Sequence, residues 1–346
     1  MADKLIYKHE KKLFWILFVV STIAWVALTA VTFGAILLLI PVGFILYLFA
    51  QSALISHLRG NGALIAADQF PDLNERVQAC AKKLDMNKVP AAYIMNGNGV
   101  LNAFATQFLR RHYIVLLSSV VDALQENPDA INFYIGHELG HIKRHHVSWS
   151  TYLVPGSILP IAGAAYSRSR EYTCDKHGAT CCESPQSAQQ ALAALAVGTR
   201  RWQEINLKNY VGQVKETSGF WMSFHELLRS YPWLTKRVAR VSPDFPQDKM
   251  PRRNPFAVFL CLFIPRLSLI TLLFIYGLMI GGGLKAQELI AHAKERQHQA
   301  AMGMYAQPGA QAQLPVLPSM PPASADDDSG GDERPAMPDA PPQPGN

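Results

Sequence analysis

The most constraining feature of this chain is an apolar run from Leu13 to Ile55 that contains no charged side chain. A single helix of that length would extend about 65 Å, roughly twice the thickness of the hydrocarbon core of a bilayer. Two spans of about 20 residues, joined by a turn near Thr29–Ala35, fit a membrane better. A cleaved signal peptide is the rival interpretation, but the run is too long and lacks a small-residue cleavage site followed by polar sequence. The sequence therefore predicts a membrane hairpin.

A soluble domain, a second apolar block and a polar tail follow the hairpin. Helical spacing at Pro71–Leu84 and strand-like runs between Val89 and Leu117 predict an α-rich domain with a small β-element. Because an arginine at mid-bilayer costs about 2.5–3.5 kcal/mol, the second apolar block is predicted to span the membrane only after Arg266. The predicted organisation is a basic cytoplasmic N-terminus (1–12), a transmembrane hairpin (13–55), the soluble domain (56–255), an interfacial segment with a transmembrane helix (256–284) and a disordered tail rich in proline and aspartate (285–346).

The charged residues and the cysteines indicate the orientation of the chain in the membrane and the redox state of its compartment. Lysines and arginines flank the apolar segments on one side if the first two spans form a hairpin, and that side is predicted to be cytoplasmic. The scattered basic residues behind the net charge of +6 predict no nucleic-acid surface. The five cysteines lack the spacing of a disulfide framework and indicate a reducing compartment. Cys174 with the vicinal pair Cys181–Cys182 could instead form a soft-metal site.

The pentapeptide HELGH at His137–His141 has the residue types and spacing of a metal-binding motif. Two histidines four residues apart share one face of a helix, so both imidazoles can reach one zinc ion. Glu138 borders that ion without ligating it, as suits a base that takes a proton from a zinc-bound water. The alternative is a surface helix with two histidines, but apolar neighbours such as Leu139 and Ile142 predict a buried helix.

A third ligand is expected downstream of HELGH. The related pattern HExxHxxGxxH is excluded, because Arg144 and Val147 occupy its glycine and third histidine positions. His145 and His146 are predicted to lie at the helix end, where positive charge is favourable. The segment SRSREYTCD provides Glu171 and, four residues later on the same helical face, Asp175. We predict that Glu171 ligates zinc and Asp175 hydrogen-bonds a zinc histidine; an ordinary helix with solvated salt bridges is the alternative.

Between these two motifs lies an apolar stretch, Leu153–Tyr166, that contains two prolines. At about 1.5 Å per residue it is too short to cross the ~30 Å hydrocarbon core. A crossing would also place Glu171 and His137 on opposite sides of the membrane. The stretch is therefore predicted to be buried in the domain or to dip into the near leaflet, with the zinc site close to the membrane surface.

At these residues the chain resembles the HtpX-type integral-membrane zinc metallopeptidases, gluzincins related to the CAAX prenyl proteases. The resemblance covers roughly Ala91–Val241 and rests on four segments: NAFA at Asn102–Ala105, HELGH, SRSREYTCD and YPWLTKRV at Tyr231–Val238. It implies a mainly α (α+β) gluzincin domain, one zinc ion per chain and peptide substrates.

The resemblance also implies further site residues. Asn102, Ala103, Phe104 and Ala105 would form an edge strand that pairs with an extended substrate, although a plain core strand is the alternative. The family's closing motif HPxxxxR has Tyr231 in place of its histidine here. The Tyr231 hydroxyl could stabilise the oxyanion, with His225 as a substitute. Arg237 would act there too, or serve as a structural ion-pair partner.

These features predict a membrane-bound zinc endopeptidase of membrane or membrane-proximal proteins in protein quality control. The expected location is multi-pass in a bacterial inner membrane, with the catalytic domain facing the cytoplasm and the lipid bilayer as a partner. Processing of lipidated C-termini is one alternative, which the small number of spans disfavours. A non-catalytic zinc scaffold or chaperone is another, which has no use for the base Glu138. The sequence leaves the oligomeric state open.

Overall fold

The computed structural model describes residues 2–97, 102–109, 111–264, 287–297 and 299. The predicted C-terminal span, after Arg266, and most of the predicted tail lie outside these residues. A separate unit begins at Ile290, and its described residues are helical. The disordered tail predicted from residue 285 stays a prediction. The stretch at 287–297 is rich in Gln, Glu, Ala, Lys and Leu, which are strong helix formers.

The apolar run forms two helices, α1 (Glu10–Val31) and α2 (Ala35–Asn61), after a short 3-10 turn. The chain reverses between them at Gly34, whose φ of 82° is in the left-handed region that glycine adopts without strain. By length and composition both helices could cross a membrane, and a signal sequence passes the same test. Helix α1 nevertheless buries Leu17 and Ser21 against the rest of the chain.

The β-element is a four-stranded mixed sheet with the order β1-β2-β4-β3. The strands are β1 (Ala63–Ile65), β2 (Ala91–Met95), β3 (Ala103–Phe108) and β4 (Arg111–Leu117). Strand β2 runs parallel to β4, whereas β3 is antiparallel to it, with Ala103 opposite Leu116. Within the described part of the chain, β3 has a neighbour on one side only and is therefore an edge strand.

Helices form the rest of the domain, so the predicted α-rich fold with a small β-element is confirmed. They are α3 (Pro71–Lys83), α4 (Ser118–Ala123), α5 (Asp129–Lys143), α6 (His146–Trp149), α7 (Val154–Ser157), α8 (Ala162–Cys181), α9 (Pro185–Val197), α10 (Leu207–Gly212), α11 (Phe220–Leu228), α12 (Leu234–Val241) and α13 (Pro255–Cys261). The core lies between the sheet and α5, where Ile114, Leu116, Ile135 and Leu139 are fully buried.

Helices α5 and α8 pack closely because glycines lie at their contact. A Cβ atom added to Gly136 would lie 2.6 Å from Cys181 Sγ, and one added to Gly140 would lie 3.2 Å from the Cα of Cys174. Both distances are too short for a comfortable contact. The glycines therefore allow α5, with HELGH, to lie against α8, with Glu171.

The apolar stretch Leu153–Tyr166 packs along the first apolar helix. Helix α7 lies within this stretch, and the backbone N–H of Gly156 donates to Ser21 Oγ over 2.9 Å. A Cβ atom at Gly156 would approach the carbonyl oxygen of Leu17 to 2.4 Å, so the contact needs glycine. The stretch is thus held against α1, one of the two candidate membrane spans.

Candidate active site and metal centre

The two histidines of HELGH and Glu171 converge on one point between α5 and α8. The Nε2 atom of His137 lies 3.5 Å from Glu171 Oε2, and the Nε2 atom of His141 lies 3.8 Å from Glu171 Oε1. Two ligand atoms of a tetrahedral zinc ion, each about 2.0–2.2 Å from the metal, are about 3.4 Å apart. The spacing therefore fits a zinc ion held by these three residues.

Cys174 provides a second possible set of ligands. Donor atoms of His137, His141 and Cys174 lie within 4.8 Å of one another. Burial and the negative charges of Glu171 and Glu138 raise the pKa of the Cys174 thiol well above its usual value. Since metals bind the thiolate, these surroundings disfavour Cys174. The carboxylate of Glu171, near both histidine Nε2 atoms, is the alternative third donor.

The electrostatic surroundings favour positive charge at this point. Burial alone would lower the pKa of His137, but Asp175 and Glu171 outweigh it and raise that pKa to about 9. Burial would likewise raise the pKa of Glu171, but the hydrogen bond and charge of His137 and the charge of Arg237 lower it to about 2. A site that stabilises an imidazolium and an ionised carboxylate is suited to a divalent cation.

A buried ion pair lies behind His137. The Nδ1 atom of His137 is 3.1 Å from Asp175 Oδ1. Arg237, on α12, donates from Nε to Asp175 Oδ2 over 2.9 Å and from Nη2 to Oδ1 over 2.6 Å. The bidentate pair fixes the carboxylate, and the carboxylate orients the ring so that Nε2 faces Glu171.

A cavity of about 260 Å³ opens over these residues. The structure brings together there the predicted ligands, the predicted base, the NAFA segment, Tyr231 and Arg237. The lining residues are Asn102, Ala103, Phe104, Ala105, Phe133, Tyr134, His137, Glu138, His141, Val147, Glu171, Leu195, Tyr231 and Arg237.

The sequence profile of peptidase family M48 matches residues 67–164 and 153–243. The two segments together cover more than half of the chain, including α5, α8 and α12. The chain belongs to peptidase family M48. Peptidases of this family are zinc-dependent, so membership implies a zinc metallopeptidase that acts on peptides or proteins. Comparisons with curated proteins and with solved structures found no match.

Within this M48 site, Glu138 points towards the edge strand. The backbone N–H of Ala105 hydrogen-bonds its carboxylate. Burial and the charge of Glu171 raise the pKa of Glu138, while His137, the Ala105 N–H and Arg237 oppose the rise, and the result is about 7. A carboxylate with a pKa near neutrality can both accept and return a proton.

The M48 cavity contains one of the two predicted oxyanion donors. Tyr231 lines it, and the charge of Glu171, burial and the charge of Glu138 raise the pKa of the Tyr231 hydroxyl. That hydroxyl therefore keeps its proton at neutral pH. His225 is exposed on α11, where its ring stacks on Trp221 at 6.3 Å, and it is not a lining residue.

The prediction that His146 is a cation at the helix end is wrong. Helix α5 ends at Lys143, and His145 adopts a left-handed backbone with φ 55°, which turns His146 inwards. His146 is only 3% exposed, and burial, with the charges of Arg170 and Arg144, lowers its pKa to about 4 despite the opposing effect of Glu10. It is neutral, and it bridges His141 and Glu10.

Sequence reasoning missed Glu10 altogether. This carboxylate is 2% exposed and contacts Arg144 and His146. One signal was available: Glu10 is the only acidic residue between Asp3 and Asp68, and it stands at the start of the apolar run. A single acid in that position needs a partner in the folded protein.

Proposed function

We propose that this M48 chain is a membrane-bound zinc endopeptidase with one zinc ion held by His137, His141 and Glu171. The convergence of both Nε2 atoms on the Glu171 carboxylate supports this assignment. When bound there, zinc would polarise the scissile carbonyl and acidify the attacking water.

Glu138 is the general base and then the general acid. Its pKa near 7 suits the removal of a proton from the attacking water and the return of that proton to the leaving amine. The Ala105 N–H holds its carboxylate beside the edge strand. The Tyr231 hydroxyl donates a hydrogen bond to the developing oxyanion. Arg237 holds Asp175, which in turn orients His137.

The edge strand β3 binds the substrate backbone. Leu117 N donates to Asn102 O over 3.2 Å, so the backbone groups of Asn102 and Phe104 point towards β4. Those of Ala103 and Ala105 point the other way, towards the cavity. The N–H of Ala103 is taken by Asn102 Oδ1 and that of Ala105 by Glu138. Among the described residues, the carbonyl groups of these two alanines are the backbone groups that remain for a peptide. An extended peptide paired with them would pass directly beside Glu138.

The apolar helices anchor the domain in a bilayer. Helix α1 is built into the domain through Leu17, Ser21 and Gly156, which argues against its removal as a signal sequence. On α2, Leu38, Leu46 and Phe49 are 65–76% exposed, a composition suited to lipid. Because α7 packs along α1, the active site lies near the bilayer surface. We therefore propose membrane or membrane-proximal protein substrates, with the domain facing the cytoplasm of a bacterium and a role in quality control.

Zinc content and proteolysis of the full chain in detergent test this function. We expect one zinc per chain and cleavage of casein by the wild type, zinc without cleavage for Glu138→Gln, and loss of zinc for Glu171→Ala. The exposed Glu183→Gln is the matched control and should behave as the wild type. Equal cleavage by wild type and Glu138→Gln would remove the protease assignment, and zinc retained by Glu171→Ala would remove the third ligand.

Substrate class is tested with the same preparations. A membrane-tethered protein should be cleaved faster than a soluble peptide of the same sequence. A preference for the soluble peptide would contradict the membrane assignment. Cleavage confined to a farnesylated peptide would favour the processing of lipidated C-termini instead. If the protein binds zinc and Glu138→Gln leaves its cellular function intact, a non-catalytic scaffold would be favoured.

A further inference from the structure

Glu10 is a buried acid outside the region that matches family M48. It is the first residue of α1, and the preceding turn is fastened to α8 by a hydrogen bond from Tyr7 N to Thr173 Oγ1 over 2.9 Å. Arg144 donates from Nε and Nη2 to Glu10 Oε1, each over 3.1 Å, and His146 Nε2 lies 3.3 Å from the same oxygen. Burying a carboxylate is costly, so this position has a defined pair of partners.

The other nitrogen of His146 faces the metal centre. His146 Nδ1 lies 3.1 Å from His141 Nδ1, while His141 Nε2 faces Glu171. A neutral imidazole that offers Nε2 to a metal carries its proton on Nδ1. His141 then donates from Nδ1 to His146 Nδ1. His146 must carry its own proton on Nε2, which donates to Glu10. This is the arrangement that makes both hydrogen bonds while leaving His141 Nε2 free for the metal.

The backbone conformation at His145 also supports this arrangement of hydrogen bonds. His145 has φ 55°, a left-handed conformation that costs a non-glycine residue free energy. That turn is what directs His146 inwards. The two histidine ligands thus have similar surroundings. His137 contacts the Asp175–Arg237 ion pair directly. His141 contacts the Glu10–Arg144 ion pair through the imidazole of His146.

We propose that Glu10 is a positioning residue for the metal ligand His141, acting through His146, so that the first apolar helix is part of the metal centre. The inference rests on the proposed zinc site and adds to it a residue from outside the region that matches family M48. The start of α1 and the orientation of His141 are then coupled. A change at Glu10 should alter zinc affinity although Glu10 contacts no substrate and no metal.

Zinc affinity of the full chain in detergent tests the proposal, by competition with a chromophoric chelator. We expect Glu10→Gln to weaken zinc binding about 10-fold and His146→Ala up to about 100-fold. The double variant should bind zinc within about twofold of His146→Ala, because both changes act along one path. Cobalt in place of zinc should show altered visible absorption bands in both single variants. The exposed Glu204→Gln, which also removes a glutamate paired with an arginine, should match the wild type.

Melting temperatures of the zinc-free and zinc-loaded proteins separate positioning from simple stabilisation. Loss of a buried contact lowers the melting temperature of the zinc-free variants, so the decisive quantity is the increase on adding zinc. Positioning predicts that this increase is smaller in both variants than in the wild type. Wild-type zinc affinity and cobalt spectra in Glu10→Gln and His146→Ala would overturn the proposal, as would additive effects in the double variant. Absence of zinc binding by the wild type would instead overturn the proposed function, and this inference with it.

Discussion

At the scale of single residues, Glu138 has the surroundings of a proton-transfer group. Its carboxylate is buried between the charges of His137, Glu171 and Arg237 and is held by the Ala105 N–H. These opposing influences leave its pKa at about 7, well above that of an exposed glutamate. The pKa of Glu138 is therefore set by neighbours on four elements, α5, α8, α12 and β3.

This pKa predicts an acid limb in the pH profile. The ionised carboxylate is the active form, so kcat/KM should be full above the pKa of Glu138 and fall as the pH drops through it. A cation held by the neighbouring ligands lowers that pKa further, which places the limb at about 7 or below. Initial rates on one peptide from pH 5 to 9 measure it. A rate that increases as the pH falls through this range would contradict the assignment of Glu138 as the base.

Loss of Arg237 should lower the stability of the protein strongly. Arg237 neutralises the fully buried Asp175, and removing one partner of a buried ion pair costs about 3–5 kcal/mol. We expect Arg237→Ala to lower the free energy of unfolding by that amount, and Arg237→Lys to lose part of it because lysine cannot make the bidentate contact. Denaturant unfolding of the zinc-free protein measures both variants. Arg201→Ala, at an exposed ion pair, is the control and should leave stability unchanged.

At the scale of elements, the contact between α5 and α8 positions the site. Gly136 allows that contact, because an added Cβ would lie 2.6 Å from Cys181 Sγ and 2.9 Å from its Cβ. The two helices carry all three proposed ligands. A small increase in their separation would pull His137 and Glu171 apart.

Gly136→Ala should therefore destabilise the protein by about 1–3 kcal/mol and weaken zinc binding. Thermal unfolding with and without zinc measures both effects. Gly212→Ala is the matched control, since Gly212 is helical and an added Cβ there would meet nothing within 4 Å. That control should be neutral or slightly stabilising, because alanine favours helix. Similar melting temperatures for the two variants would show that α5 and α8 tolerate separation.

Pairing with the edge strand β3 predicts which backbone N–H groups of a substrate are needed for cleavage. If a peptide pairs with the outward carbonyl groups of Ala103 and Ala105, every second peptide N–H donates to β3. Methylating those nitrogens should slow cleavage about 3–10-fold each, the value of one net hydrogen bond, whereas methylating the alternate nitrogens should have little effect. A scan of singly N-methylated peptides measures this pattern. Equal effects at neighbouring positions would argue against strand pairing.

At the scale of the whole molecule, α1 belongs to the protease domain. It buries Glu10 and Leu17, and its Ser21 accepts a hydrogen bond from Gly156 in the stretch between the two zinc-binding motifs. Trp25 Nε1 also donates to the carbonyl oxygen of Tyr152 over 3.1 Å. The rest of the domain thus contacts this helix from Glu10 to Trp25.

The mature protein should accordingly retain its N-terminus. Intact-mass analysis of the protein purified from membranes should give a chain that includes Glu10, and an alkaline carbonate wash should leave it in the membrane fraction. A chain that begins after the first apolar helix would show cleavage as a signal sequence. Release by carbonate would show that neither helix spans the bilayer.

Patterns within a single element could be identified from the sequence. The spacing of His137, Glu138 and His141 within one helix, and of Glu171 and Asp175 within another, already indicates which side chains share a face. The apolar composition of 13–55 likewise indicates two long helices, whatever surrounds them. These inferences need only the local geometry of a helix, which the sequence by itself determines.

The tertiary structure alone decided which distant residues meet. It places Tyr231 in the cavity and His225 outside it, and joins Glu10 to His146 across 136 positions of sequence. No periodicity encodes such pairings, because they depend on how separate helices pack and where a strained turn directs the chain. The sequence by itself determined the chemistry of each motif, and tertiary packing decided which residues complete the site.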